Sequence, residues 1–171
     1  LRTQRLRELV QADSAAGAER SDRSRLLAAR ATLELAEPAR QRFADARITQ
    51  PLADSLKRKK SLMEEAVRAY GDAADFGVAE VTTAATFRLG EVYQQFGRDL
   101  MESLEQYDLL LEEQAFPFEE QAIDLYETNA ARSVDGVYDE WVQRSFAALA
   151  KLMPGRYAKL ERSEDVVTAL Y

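Results

Sequence analysis

Histidine and cysteine are both absent from the 171 residues. Their absence removes imidazole bases, thiol nucleophiles, disulfides and nearly every zinc, haem or iron-sulfur ligand set. Carboxylates, lysine, tyrosine and hydroxyls remain for chemistry, and no cofactor or metal is expected. Glycine and proline are scarce, at 7 and 4, which is too little turn punctuation for an all-β chain. No apolar run approaches the roughly 20 residues of a membrane span, and no signal-peptide pattern is present. Leu1 falls in the middle of a helical pattern, LRTQRLRELV, as expected of a piece of a longer protein. Excess positive charge is also lacking. A formal net charge of −7 and a pI near 4.8 argue against nucleic acid as a partner, because phosphate binding needs a cationic surface.

With 46% hydrophobic residues the chain can bury a core. Alanine, leucine, glutamate, arginine and glutamine abound, which predicts an all-α fold. Leu6, Leu9 and Val10 mark a first helix that stops in ADSAAGAERSD. Ser21 or Asp22 caps a second, which Pro38 should kink or interrupt. Thr49 is a candidate cap for a third helix with Pro51 in its first turn and Gly71 or Gly77 at its end. A fourth is predicted from about Val78 to Phe96, stopped by Gly97, with another starting near Arg98. Pro117 is read as the boundary before FEEQAIDLYETNAARS. VYDEWVQRSFAALAKLM forms a last strong helix closed by Pro154-Gly155, and the RYAKLERSEDVVTALY tail has room for one more. Short turns between six to eight helices give a bundle or a solenoid.

Internal repetition favours the solenoid. Ala66, Tyr70 and Ala73 are followed after a turn by Leu89, Gly90 and Tyr93; Ala122, Tyr126, Asn129 and Ala130 are followed by Gly136-Val137 and Phe146. Glycine inside a helix costs about 1 kcal/mol relative to alanine, so Gly90 is read as the point where two helices pack closely. These residues resemble the tetratricopeptide repeat. Leu89-Gly90-x-x-Tyr93 matches its first helix, Ala66, Tyr70 and Ala73 match the second helix of the preceding unit, and Trp141 with Ser145 resembles another first helix. Val78 stands where the signature proline would fall, and the likeness covers about half the chain.

A more particular likeness runs from about Thr49 to Lys159, through QPLADSLKRKKSLMEEAVRAYGDAADFGVAEVTTAATF, LEQYDLLLEEQAFPFEEQAIDLYETNAAR and GVYDEWVQRSFAALAKLMPGRYAK. It resembles large tetratricopeptide-repeat proteins of the bacterial cell envelope associated with motility and energised transport. The resemblance implies antiparallel helix pairs stacked as a right-handed solenoid, a periplasmic location and a protein or peptide partner. It also implies a longer loop between DLMES and LEQYD, which places a junction near Ser103. The expected organisation is N-terminal helices of a longer array (1–48), a repeat-like pair plus an extra helix (49–115), and a second pair with a tail (116–171).

Three residue groups invite functional readings. The carboxylate pairs Glu112-Glu113, Glu119-Glu120 and Asp139-Glu140 could serve a glycosidase-like enzyme, in which an apolar pocket raises one carboxyl's pKa. The structural reading puts them in first helical turns, offsetting the dipole. LKRKKS, residues 56–61, is either a docking patch for an acidic protein or anionic lipid, or a solvated face paired with Glu64 and Glu65. Among Phe116, Phe118, Tyr126, Tyr138, Trp141, Phe146 and Tyr157, most are expected in the core, with Tyr138 or Trp141 lining a concave surface. The preferred reading is a non-catalytic scaffold whose binding face carries Arg88, Gln95, Tyr138, Trp141 and Arg144. A helical enzyme acting on envelope polysaccharide and a passive spacer or oligomerisation segment stay open beside it.

Overall fold

A computed structural model describes residues 1–107 and 112–158, leaving side chains 104–107 and 112–114 undescribed. The described residues are helical, without strands: α1 (Arg2–Ala15), α2 (Asp22–Asp45), α3 (Leu52–Ala74), α4 (Ala79–Tyr107), α5 (Glu112–Ala131) and α6 (Glu140–Leu152). Residues 154–158 begin a further helical stretch. The predicted tail helix beyond it lies outside the described residues; the junction expected near Ser103 does not, and there α4 runs without a break through Ser103, so no loop separates DLMES from LEQY.

The start of α2 follows from its cap. Ser21 Oγ accepts from the Ser24 N–H and Ser24 Oγ accepts from the Ser21 N–H, so two otherwise orphaned donors are satisfied. Thr49 does not cap α3. The helix begins after Pro51, and Ser55 in its first turn ties back to Thr49, donating to its carbonyl at 2.5 Å and accepting from its N–H at 3.0 Å. α3 runs through Gly71 and ends at Ala74, where Gly77 at φ +65° makes the turn.

Punctuation overreads the chain at three places. Pro38 lies inside a continuous α2 and Pro117 inside a continuous α5, both with exposed rings. Gly97 does not stop α4, and no new helix starts near Arg98; α4 continues to Tyr107. Gly97 is instead buried at the α5 contact, where an added Cβ would stand 3.5 Å from Phe118 Cβ and 3.6 Å from the Ala115 carbonyl.

Successive helices alternate in direction. Arg2 pairs with Glu34 at one end of α1–α2 and Asp13 with Ser24 at the other. Across α2–α3, Tyr70 reaches Glu37 and Lys59 reaches Phe43. Across α4–α5, Asn129 reaches Thr83, Tyr126 reaches Gln94, and Phe118 meets Phe96 edge-on at 4.6 Å. Each helix packs on its chain neighbours, and α4 also touches α2 and α6; no comparable contact joins α3 to α5. Three buried clusters follow: Phe43, Met63, Ala66, Val92, Phe96 and Leu100; Ala29, Ala36, Tyr70, Ala73, Val81 and Ala85; Phe87, Ala122, Tyr126, Ala130, Leu149 and Tyr157. α4 contributes to all three.

Even helices begin at Asp22, Ala79 and Glu140, a period of about 60 residues against about 34 for a tetratricopeptide repeat. The extra length lies within the long helices. Gly90 stands where the Tyr126 ring of α5 meets α4: a Cβ there would lie 2.5 Å from Tyr126 Cε1. Gly71 faces open space. Gly90→Ala should therefore destabilise by about 1–3 kcal/mol through overpacking, whereas Gly71→Ala should be neutral or stabilise by up to about 1 kcal/mol. Urea unfolding of the two variants beside the wild type checks the contrast.

Candidate functional site

Without histidine or cysteine, carboxylates and cations are the main chemistry available to a site. Asp139 is the cap of α6, accepting at 3.0 Å from the N–H groups of Trp141 and Val142, which agrees with the dipole reading for that pair. Its second oxygen accepts from Thr83 Oγ1 at 2.5 Å, so one carboxylate both starts α6 and fastens it to α4. Beside it Asn129 is fully buried, donating to the Thr83 carbonyl at 2.8 Å and to Ser145 Oγ at 3.1 Å, while Arg132 donates to its Oδ1 at 2.9 Å. Burial holds the Arg132 guanidinium below its ordinary pKa. Glu119 and Glu120 do not occupy a first turn. They are exposed inside α5, which begins at Glu112, and neither has a hydrogen bond or ion pair among the described residues.

LKRKKS divides in two. Lys57, Arg58 and Lys60 are exposed, but Lys59 is buried, with 1% of its surface accessible, contrary to a wholly solvated face. Its ammonium donates to the Phe43 carbonyl at 2.9 Å and the Ala46 carbonyl at 2.6 Å, and pairs with Asp99 Oδ2 at 2.6 Å. The reason is local: α2 ends at Asp45 with unsatisfied carbonyls, and an ammonium has three donors to place. Glu65 pairs with Arg42 of α2 rather than with a neighbour on α3. Removing Lys59 would leave two carbonyls and a carboxylate without their cation, so Lys59→Met should cost about 3–5 kcal/mol, measured as a lowered urea midpoint.

The five residues expected on a binding face fall into one connected group and two outliers. Arg88 and Arg144 place their guanidinium carbons 5.2 and 4.8 Å from the centroid of the half-buried Trp141 ring. Each also holds a carboxylate of its own helix, Arg88 to Glu91 at 2.7 Å and Arg144 to Glu140. Trp141 leans on Phe87 at 5.7 Å, so the indole is anchored in the core and flanked by two cations from different helices. Gln95 lies further along the same α4 stripe as Arg88 and Glu91, half-buried. Tyr138 precedes α6 rather than sitting in it; it is 46% exposed and packs on Phe146, 6.3 Å away.

Among the repeat positions, Ala66, Tyr70, Ala73 and Gly90 are buried. Leu89 packs against the second cluster, and Tyr93 lies between the first and third.

Sequence reasoning passed over Glu37 and Arg40 of α2, which extend this face. Glu37 binds Arg40 through Nε at 3.0 Å and accepts from Tyr70 Oη at 2.9 Å. The Arg40 hydrogen bond, helped by Tyr70 and outweighing burial, holds the Glu37 carboxyl below its ordinary range. Burial, reinforced by Glu37, pushes the Tyr70 phenol up. Tyr126 makes the equivalent contact one unit later, donating to Gln94 at 3.1 Å; the shared spacing was the available signal. Open cavities among the described residues lie away from Arg88, Trp141 and Arg144. An apolar one of about 420 Å³ lies between α4, the start of α5 and Leu152, and a polar one of about 420 Å³ lies near Arg47, Asp99 and Glu102. A third, of about 330 Å³, lies beside Asp13 and Phe76.

Because Glu37 has a depressed folded pKa, its stabilisation is complete above the ordinary glutamate value of about 4.3 and fades as pH falls through the folded value. Glu37→Gln should flatten the loss of stability between about pH 5 and pH 3, checked by urea midpoints across that range.

No protein-family model, curated protein or solved structure matches the chain.

Proposed function

We propose that this chain is a non-catalytic protein–protein interaction scaffold, a degenerate tetratricopeptide-like right-handed solenoid that presents its even helices to a protein or peptide partner. The observation that carries the reading is the face on which Trp141 is flanked by Arg88 and Arg144. Two guanidiniums held against one indole lose little further freedom when they meet a partner, and tryptophan and arginine are the side chains most often dominant at interfaces.

Packing supports the stacked arrangement. Helices contact their chain neighbours, as in quasi-one-dimensional folds, and the even helices also touch one another, which brings their face together as a concave side would be. The likeness over residues 49–159 is the basis for assigning the partner to a bacterial envelope complex on the periplasmic side. Among the described residues no helix is long and apolar enough to cross a membrane.

The carboxylates weigh against an acid catalyst. A helical glycosidase needs a carboxyl raised by an apolar pocket, yet among the described residues the shifted carboxyls go down. Asp13 is buried, but Ser24 and Arg20, at 2.7 Å each, outweigh the upward push of burial. Glu37 and Glu80 are held down mainly by their hydrogen bonds to Arg40 and Arg30.

In-cell crosslinking with mass spectrometry tests the proposal, using the full-length protein and a variant carrying Arg88→Gln and Arg144→Gln. One partner captured repeatedly by the wild type and lost, with helical content unchanged, in the variant is the expected result. Equal capture by both would remove the binding role from this face, and no specific capture by either would overturn the scaffold reading.

A further inference from the structure

α3 and α5 both pack on α4 and carry none of Arg88, Trp141 and Arg144, which lie on α4 and α6. They run parallel, since each is antiparallel to α4, and both are fastened to the same stretch of it: Lys59 to Asp99, and Phe118 to Phe96. On α3 the exposed cations Lys57, Arg58 and Lys60 fan out around the buried Lys59, and none has an ion pair or hydrogen bond among the described residues. On α5 the exposed Glu119, Glu120 and Asp124 side chains are likewise without a partner, beside Phe116, which is 60% exposed. Elsewhere many arginines are spent within the chain: Arg2, Arg20, Arg30, Arg42 and Arg156 each hold a carboxylate from another part of the sequence.

We propose that the occupant of the Lys57–Arg58–Lys60 patch is the Glu119–Glu120–Asp124 patch of a second copy of this chain. The argument is charge complementarity combined with symmetry. Two parallel helices that both pack on α4 and carry opposite free charge are self-complementary under a two-fold axis parallel to them: α3 of one copy faces α5 of the other, and α5 of the first faces α3 of the second. Each patch is used once per copy and the assembly closes at two, as isologous interfaces do. A single exposed ion pair contributes little, so the pair depends on several contacts acting together and on the apolar surface of Phe116. The net charge of −7 on each copy opposes association, but at about 0.1 M salt the Debye length is about 10 Å, which screens the distant charges while leaving contacting pairs in place. The α4–α6 face, with Trp141, stays free in such a pair.

Sedimentation equilibrium of the 171-residue chain tests this at 0.1 M and 0.5 M sodium chloride, together with two charge-reversal variants. One carries Lys57→Glu, Arg58→Glu and Lys60→Glu; the other carries Glu119→Lys, Glu120→Lys and Asp124→Lys. The expected result is a dimer at 0.1 M salt that dissociates at least tenfold more readily at 0.5 M. Each variant alone should be monomeric with unchanged helical circular dichroism, and an equimolar mixture of the two should form a one-to-one pair, because both interfaces are then complementary again. A wild type that stays monomeric to millimolar concentration at 0.1 M salt overturns the proposal, as does self-association that survives in either variant or a mixture that fails to pair.

Discussion

The tyrosine ring of residue 126 occupies the space that a side chain at position 90 would need, and much of the molecule depends on that contact. α4 supplies residues to all three core clusters, so its distance from α5 governs how the second half of the chain is seated on the first. With the backbone of Gly90 against the ring, Tyr126 stays buried while its hydroxyl still reaches Gln94. The same approach lets Asn129 reach the Thr83 carbonyl from the next turn of α5. Gly97 continues the close contact one and a half to two turns further along α4. A side chain at 90 would push α5 outward and loosen these contacts together, because close-packed interiors shift in steps and do not deform smoothly.

Buried polar groups then fix the order of the helices. An apolar stripe can slide by a turn against another at small cost, but Lys59 must meet two α2 carbonyls and Asp99 at once. Asn129 likewise needs Thr83, Ser145 and Arg132. Among the described residues no buried side-chain nitrogen or oxygen is left without a partner, so any slipped arrangement would expose a desolvation cost that the native one avoids. Lys59 joins α2, α3 and α4, and Asn129 joins α4, α5 and α6.

Much of this was legible in the sequence, and the exceptions share a cause. The helical class, the Ser21 cap and the close approach at Gly90 follow from composition, capping chemistry and the expense of an interior glycine. Gly97 and Pro117 were read as boundaries, and Pro38 as a kink or interruption, because propensity treats each residue in isolation. Tertiary packing outweighs about 1–3 kcal/mol of local penalty when a long helix buries a continuous stripe, and Gly97 is buried within such a stripe, at the α5 contact. The buried Lys59 was hidden inside a run of four basic residues, since composition does not say which side chain of a helix turn points inward. Its position in register with Met63, Ala66 and Tyr70, all buried on the same helix, was the signal that could have singled it out. At the proposed binding face, Arg88, Trp141 and Arg144 were named from position along helices, but their meeting on one ring depends on α4 and α6 lying side by side. Only the fold supplies that, and Glu37 with Arg40 joined the face for the same reason.

The two faces of the molecule use charge in opposite ways. On the even-helix face Arg40, Arg88 and Arg144 are each engaged by a glutamate three or four residues away, so the face is nearly neutral and its recognition would rest on shape, the indole and the remaining guanidinium donors. On the odd helices Lys57, Arg58 and Lys60 of α3, which shares its surface with Asp54 and Glu64, and Glu119, Glu120 and Asp124 of α5 are exposed and unengaged among the described residues, and like charges repel along each helix. Neutral, preorganised surface suits a contact whose affinity comes from packing; free charge suits one governed by orientation and ionic strength. On the two proposals together, the partners would not compete, since Arg88, Trp141 and Arg144 lie on α4 and α6 and the free charges on α3 and α5.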